Sequence, residues 1–168
     1  MGLDRIGHVR KLYAYLSATR KGYLDVFDKA DWSVLTQDRG ASHGSIRDVF
    51  VHMMSAHRGW FEFVLQDKAA EEERLDPAKY LDASYLRSME AKIDAALREA
   101  TRRLEPSDLA KLHADAKGRE HSTEAILLHM IEEELQHRGE INCMLWQAGL
   151  DAPVVGYMQW VRGDAPDA

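Results

Sequence analysis

Four long stretches of the chain repeat their apolar residues with the period of a helix, and no stretch alternates apolar and polar residues as a half-buried strand does. The first runs from about Asp4 to Ala30, with Ile6, Val9, Leu12, Tyr13, Leu16 and Leu24 as its stripe. The second, from about Ile46 to Gln66, turns Ile46, Val49, Phe50, Met53, Trp60 and Val64 inward. The third, from about Asp82 to Leu104, gathers Leu86, Met89, Ile93, Ala96, Leu97 and Ala100 on one side. The fourth opens near Ser122 or Thr123 and stops at Gly149, with Pro153 shortly beyond. Helices of that length joined by short or moderate links predict an all-α fold, a four-helix bundle forming one domain over residues 1–162. The apolar tail "VVGYMQWVRG" is expected to pack back on the bundle, and residues 163–168 to be frayed.

The segments between the helices support this division. "TQDRGASHGS" (Thr36 to Ser45) is a loop by composition, ending in Ser45, a side chain suited to cap the second helix; Asp48 adds negative charge near that helix start. "EEERLDPAKY" breaks the second helix, and "EPSD" ends the third or starts a short extra turn. At 168 residues, with 45% apolar and 30% charged residues, the chain can bury one core. A formal net charge of -6 with no basic cluster argues against a nucleic-acid partner. No run approaches the roughly 20 apolar residues that span a bilayer, and "MGLDRIGHVRKLYAYL" has no secretory h-region, so a cytoplasmic protein is expected. Cys143 is the one cysteine, which excludes an internal disulfide and a cysteine-based zinc site.

The informative stretch is "LLHMIEEELQHRGE" (Leu127 to Glu140). On a helix, Ile126, Met130, Glu133, His137, Ile141, Met144 and Ala148 share one face, so Glu133 and His137 stand within an apolar stripe. His129 lies at its edge, while Glu132 and Glu134 are expected on the flank or in solvent. A buried, unpartnered carboxylate costs several kcal/mol, so a cation must offset it. That cation is an Arg or Lys of a neighbouring helix, or a metal ion; a metal-free Glu–His pair that fixes helix register is the plainer alternative. Glu and His at i, i+4 spacing can chelate one ion. A third ligand can come from "VFVHMMSAHRGW", through His52 at the margin of the apolar face or His57 near its centre; periodicity alone does not choose. Two histidines and one carboxylate leave positions open for water or substrate, and suit Zn(II), Fe(II), Ni(II) or Mn(II).

Together, "SIRDVFVHMMSAHRGWF" and "LLHMIEEELQHRGEINCMLWQAGL" resemble the DinB/YfiT-like family of metal-binding four-helix bundles, with a likeness reaching from the first helix to about Gln159. Its specific parts are the second-helix histidine and the fourth-helix pattern His-x3-(His/Glu)-x3-His-Arg-Gly-(Gln/Glu). The resemblance implies that the metal ligands are His52, rather than His57, with Glu133 and His137. Many members have His where this chain has Glu133, and the Glu form is similar to that of mycothiol-dependent isomerases and transferases. It also implies a homodimer and one divalent metal ion, commonly zinc or nickel, with iron or manganese the alternatives. For better understood relatives it implies transfer of a low-molecular-weight thiol, mycothiol or bacillithiol, to a small-molecule electrophile. A metal-dependent hydrolase and a non-catalytic dimeric, stress-related protein with a structural metal site are the competing readings.

Other residues carry weaker expectations. Arg138 falls on the far side of the fourth helix, for a surface or inter-helix salt bridge, and Gly139 would admit a close backbone. Glu140 is within about a turn of Glu133 and His137 and can support a ligand by hydrogen bonding. Cys143 is expected to be a small buried apolar residue. Leu128, Ile131, Leu135 and Trp146 form a second apolar stripe opposite the ligand face, which suits a dimer helix. His8, His43, His113 and His121 lie on flanks or in loops and receive no role.

Overall fold

In the expected bundle each long helix begins where a short polar side chain can take up a backbone N–H that the first turn leaves unpaired. The computed structural model describes residues 4–66, 74–153 and 156–163, apart from the side chain of Phe63. Helix α1 (Arg5–Phe27) starts at Asp4, whose carboxylate accepts from Gly7 N–H. Helix α2 (Trp32–Thr36) is a short turn in the following connection. Helix α3 (Ile46–Arg58) is capped by Ser45, whose hydroxyl accepts from Asp48 N–H at 3.2 Å. Helix α4 (Ala83–Arg103) is capped by Asp82 and α5 (Thr123–Gln147) by Ser122. The bundle packs α3 on α5 and α1 on α4, and its core joins apolar residues of all four helices.

Two local features, a π-helical turn and a pair of short strands, depart from the expected outline. The second helix continues past Arg58 as a π-helical turn, Gly59–Val64, rather than as regular α-helix to Gln66. A π turn holds extra residues, which rotates the face that follows. Phe61 is therefore buried against Tyr13, and Trp60, expected inward, is half-exposed beside His121 and His129. The "EPSD" segment starts a 3-10 turn, Pro106–Ala110, and after it come two antiparallel strands, β1 (Leu112–Ala114) and β2 (Glu120–Ser122). Strands of three residues are too short for alternation to show. The tail does fold back: α6 (Tyr157–Arg162) sets Tyr157 and Trp160 against Tyr15 of α1. Gly163 closes that helix, while residues 71–73 of the "EEERLDPAKY" break, 154–155 of the tail and the expected frayed end, 164–168, lie outside the described residues.

The four long helices also meet at one charge. Arg20 takes its place on α1 between Leu16 and Leu24, on the apolar stripe, and its guanidinium is buried. Nε donates to Glu90 at 2.9 Å and Nη2 to Asp94 at 2.6 Å, both on α4, and Nη1 donates to Glu134 of α5 at 2.7 Å. The same Glu134 oxygen lies 2.6 Å from His57 Nε2 of α3. Glu134 was expected on the flank or in solvent; it is fully buried, because the guanidinium makes the interior side of α5 habitable for a carboxylate. Burial would raise the Glu134 carboxyl, but the Arg20 charge and the His57 hydrogen bond outweigh it and hold the group at about 2. Glu90 goes the other way: burial pushes it up in spite of Arg20.

Arg20→Met leaves these carboxylates without their cation and is expected to cost about 3–5 kcal/mol, read from urea unfolding. The folded Glu134 value lies below the ordinary glutamate value of about 4.3, so the unfolded chain takes up this proton first as pH falls. The Glu134 contribution is thus complete above about pH 5 and is lost progressively towards pH 2. The stability gap between wild type and Glu134→Gln, in which Glu90 is common to both, is expected to close over that window.

Candidate metal centre

Adjacent residues on a helix point about 100° apart, so Glu133 leaves the Arg20 cluster that its neighbour enters and emerges beside α3. Its Oε1 lies 3.3 Å from His52 Nε2 and 3.1 Å from His137 Nε2. The structure therefore brings His52, Glu133 and His137 together, on two rigid helices and around one oxygen. The His52 and His137 rings are 4.8 Å apart. His137 is buried, whereas His52 and Glu133 are part-exposed, so the group opens to solvent on one side.

The expected support from Glu140 is present. Its Oε2 is 2.6 Å from His137 Nδ1, and since a carboxylate only accepts, Nδ1 carries the hydrogen. With Nδ1 so engaged, His137 donates to Glu133 only when Nε2 is protonated as well, and a neutral ring would instead offer its Nε2 lone pair to a cation on that side. Burial raises the Glu133 carboxyl, but hydrogen bonds from His137 and His52 outweigh it and bring the group below its usual value. His52 is lowered, first by burial and then by the nearby His43. An ionised carboxylate and a neutral imidazole are the protonation states that a divalent cation requires, so the donor set fits such an ion.

His43, given no role above, belongs to this group. Its ring stacks on His52 at 3.7 Å between centroids, with the planes 18° apart, and stands 5.6 Å from His137. One nitrogen from each of His43, His52 and His137 lies within 4.8 Å of the others. Loop residues follow no periodicity, and the only signal was a histidine between two glycines just before the α3 cap.

The remaining candidates separate from the centre. His57 joins the Arg20 cluster through Glu134. His129 points outward, 3.8 Å from Glu132 and edge-on to Trp60, although with Glu132 and Glu133 it forms a second, largely exposed group. Arg138 makes no salt bridge among the described contacts; its Nη2 donates to Tyr15 at 3.1 Å and its guanidinium lies over the same ring. Gly139 is exposed, and among the described residues no backbone of another element comes close to it. Cys143 is exposed rather than buried, since it falls outside both the ligand face and the core of α5.

The chain matches a family model described as DinB family over residues 5–166. It is similar to the crystal structure of a DinB-like protein from Bacillus cereus, with 22% identity and a TM-score of 0.68, over 86% of this chain and 93% of that one. It is also similar to a DinB-like protein from Bacillus subtilis, with 16% identity and a TM-score of 0.63, over 82% and 91% of the two chains. At these identities the two structures speak for the fold. No curated protein matches the chain.

Proposed function

The chain belongs to the DinB family, and on that premise we propose that it is a metal-dependent enzyme that activates a low-molecular-weight thiol at His52, Glu133 and His137. The observation that carries this reading is the convergence of two imidazole Nε2 atoms on one Glu133 oxygen, with the far side of His137 held by Glu140. A divalent ion such as zinc or nickel supplies Lewis acidity there, lowering the pKa of a thiol or water that binds it. Iron and manganese suit the same donors.

The protein's own contribution is to orient and to charge. Glu140 fixes the His137 ring, and the helices α3 and α5 fix the spacing of the donors. Glu133 makes the centre one negative charge richer than three histidines would. The part-exposed side of His52 and Glu133 gives a small molecule its approach. A hydrolase would use the same donors with water in place of the thiol, and the thiol reading is preferred on the Glu133 form of the motif. The test is a panel of mycothiol, bacillithiol and simpler thiols against a generic electrophile, with the protein loaded with zinc, nickel, iron or manganese in turn. Thiol-dependent product is expected with at least one metal, and none with a His52→Ala/His137→Ala double variant. Equal metal content in wild type and that variant would remove the basis of the reading.

We also propose that the protein is a homodimer joined along α5. Leu128, Leu135 and Trp146 are 52%, 49% and 61% exposed on the side of α5 away from the ligands, while Ile131 is buried. A second copy is the simplest cover for such a stripe. Among the described residues no helix is long and apolar enough to cross a membrane. Leu135→Asp with Trp146→Asp is expected to halve the mass measured by sedimentation; a mass unaffected by the pair would place the contact elsewhere.

A further inference from the structure

We propose that His43 is a fourth protein ligand of the cation, carried on a loop that can withdraw it; this rests on the metal reading above. His52, Glu133 and His137 are presented by helices, so their positions are set by the bundle. His43 is presented by the turn between α2 and α3, which is braced within itself and tied to the site at one point. Arg39 N–H donates to Gly44 O at 2.8 Å and Gly44 N–H to Ala41 O at 3.0 Å, and Gly40 and Gly44 take positive φ values of 70° and 88°. Those values are open to glycine at little cost, and they let the turn reverse just where His43 must face α5.

The tie is Ser42. Its hydroxyl donates to Glu140 Oε2 at 3.0 Å and its N–H to Oε1 at 3.3 Å. Glu140 is the carboxylate that also holds His137 Nδ1. One side chain therefore sets the ring of a helix-borne donor and the height of the loop that carries His43. With the His43 ring 3.7 Å from that of His52, its nitrogen reaches the same small volume as the nitrogens of His52 and His137. A surface histidine that merely lay over the site would need neither the Ser42 tether nor the glycine-bounded turn.

The chemical consequence concerns the incoming thiol. Four protein ligands complete a tetrahedral set, as in closed structural sites, whereas a catalytic site keeps a position free. A loop-borne histidine reconciles the two: His43 fills the position at rest and leaves it when a thiol arrives. Thiols are then expected to compete with His43.

The experiment uses Co(II) loaded into the full-length chain, with wild type, His43→Phe, His43→Ala and the His52→Ala/His137→Ala double variant. Phenylalanine keeps a ring on His52 but cannot ligate. Affinity is read by competition with a chromophoric chelator and coordination by the visible Co(II) bands; thermal unfolding of the metal-free proteins shows that each variant folds. Loss of His43 is expected to weaken binding at least about tenfold, since even supporting partners of a ligand are worth that much, and to shift the bands in both His43 variants. Titration with 2-mercaptoethanol is expected to saturate at lower concentration in His43→Phe than in wild type. Wild-type affinity and bands in His43→Phe would overturn the ligation, and equal thiol affinity would overturn the displacement. If the double variant alone loses cobalt, His43 is excluded and the metal reading stands; if it too binds as wild type does, the metal reading itself has failed.

Discussion

The bundle is organised around one buried guanidinium. Arg20 is held by two carboxylates of α4 and one of α5, and through Glu134 it reaches His57 of α3. Apolar packing tolerates small slides and rotations between helices, because many arrangements bury similar area. A forked cation with directional donors does not, since a shift of an ångström or two leaves a buried charge unmatched. The cluster thereby fixes the rotation of α5, and with it the direction in which Glu133 points.

The cluster and the candidate metal centre share the α3–α5 seam, and each uses a Glu–His contact to cross it. His57 meets Glu134 in the dry interior, and His52 meets Glu133 at the part-exposed edge. The chemistry differs because the third partner differs. Glu134 faces a permanent cation and has no charge left to offer. Glu133 faces imidazoles alone, which makes it the carboxylate on this helix available to an exchangeable ion.

Much of this was legible in the chain. Periodicity located all four long helices, and Ser45 marked the start of α3, because both follow from local backbone needs. The i, i+4 spacing of Glu133 and His137 anticipated their contact, and the position of Glu140 its hydrogen bond with His137. What failed is equally physical. Glu134 was read as peripheral because an apolar stripe seen from one helix says nothing of an arginine approaching from another, although Arg20 sits between Leu16 and Leu24 in the stripe of α1. Trp60, expected inward, is half-exposed and Phe61 is buried, because a π turn breaks the helical period. His43 was passed over because loops have no period, and Cys143 was misjudged because α5 presents two apolar sides and the cysteine lies on neither.

The adjacency of Glu133 and Glu134 has a consequence for how such a chain can change over generations. Two neighbouring carboxylates serve two environments that cannot exchange occupants: one meets a buried guanidinium, the other the imidazoles of the candidate metal centre. Inserting or deleting one residue between the start of α5 and this pair would turn both by a quarter of a revolution or more and disable structure and site at once. A change of length is therefore expected to cost less in the connections than in the middle of α5, unless a π turn like that after α3 takes up the extra residue.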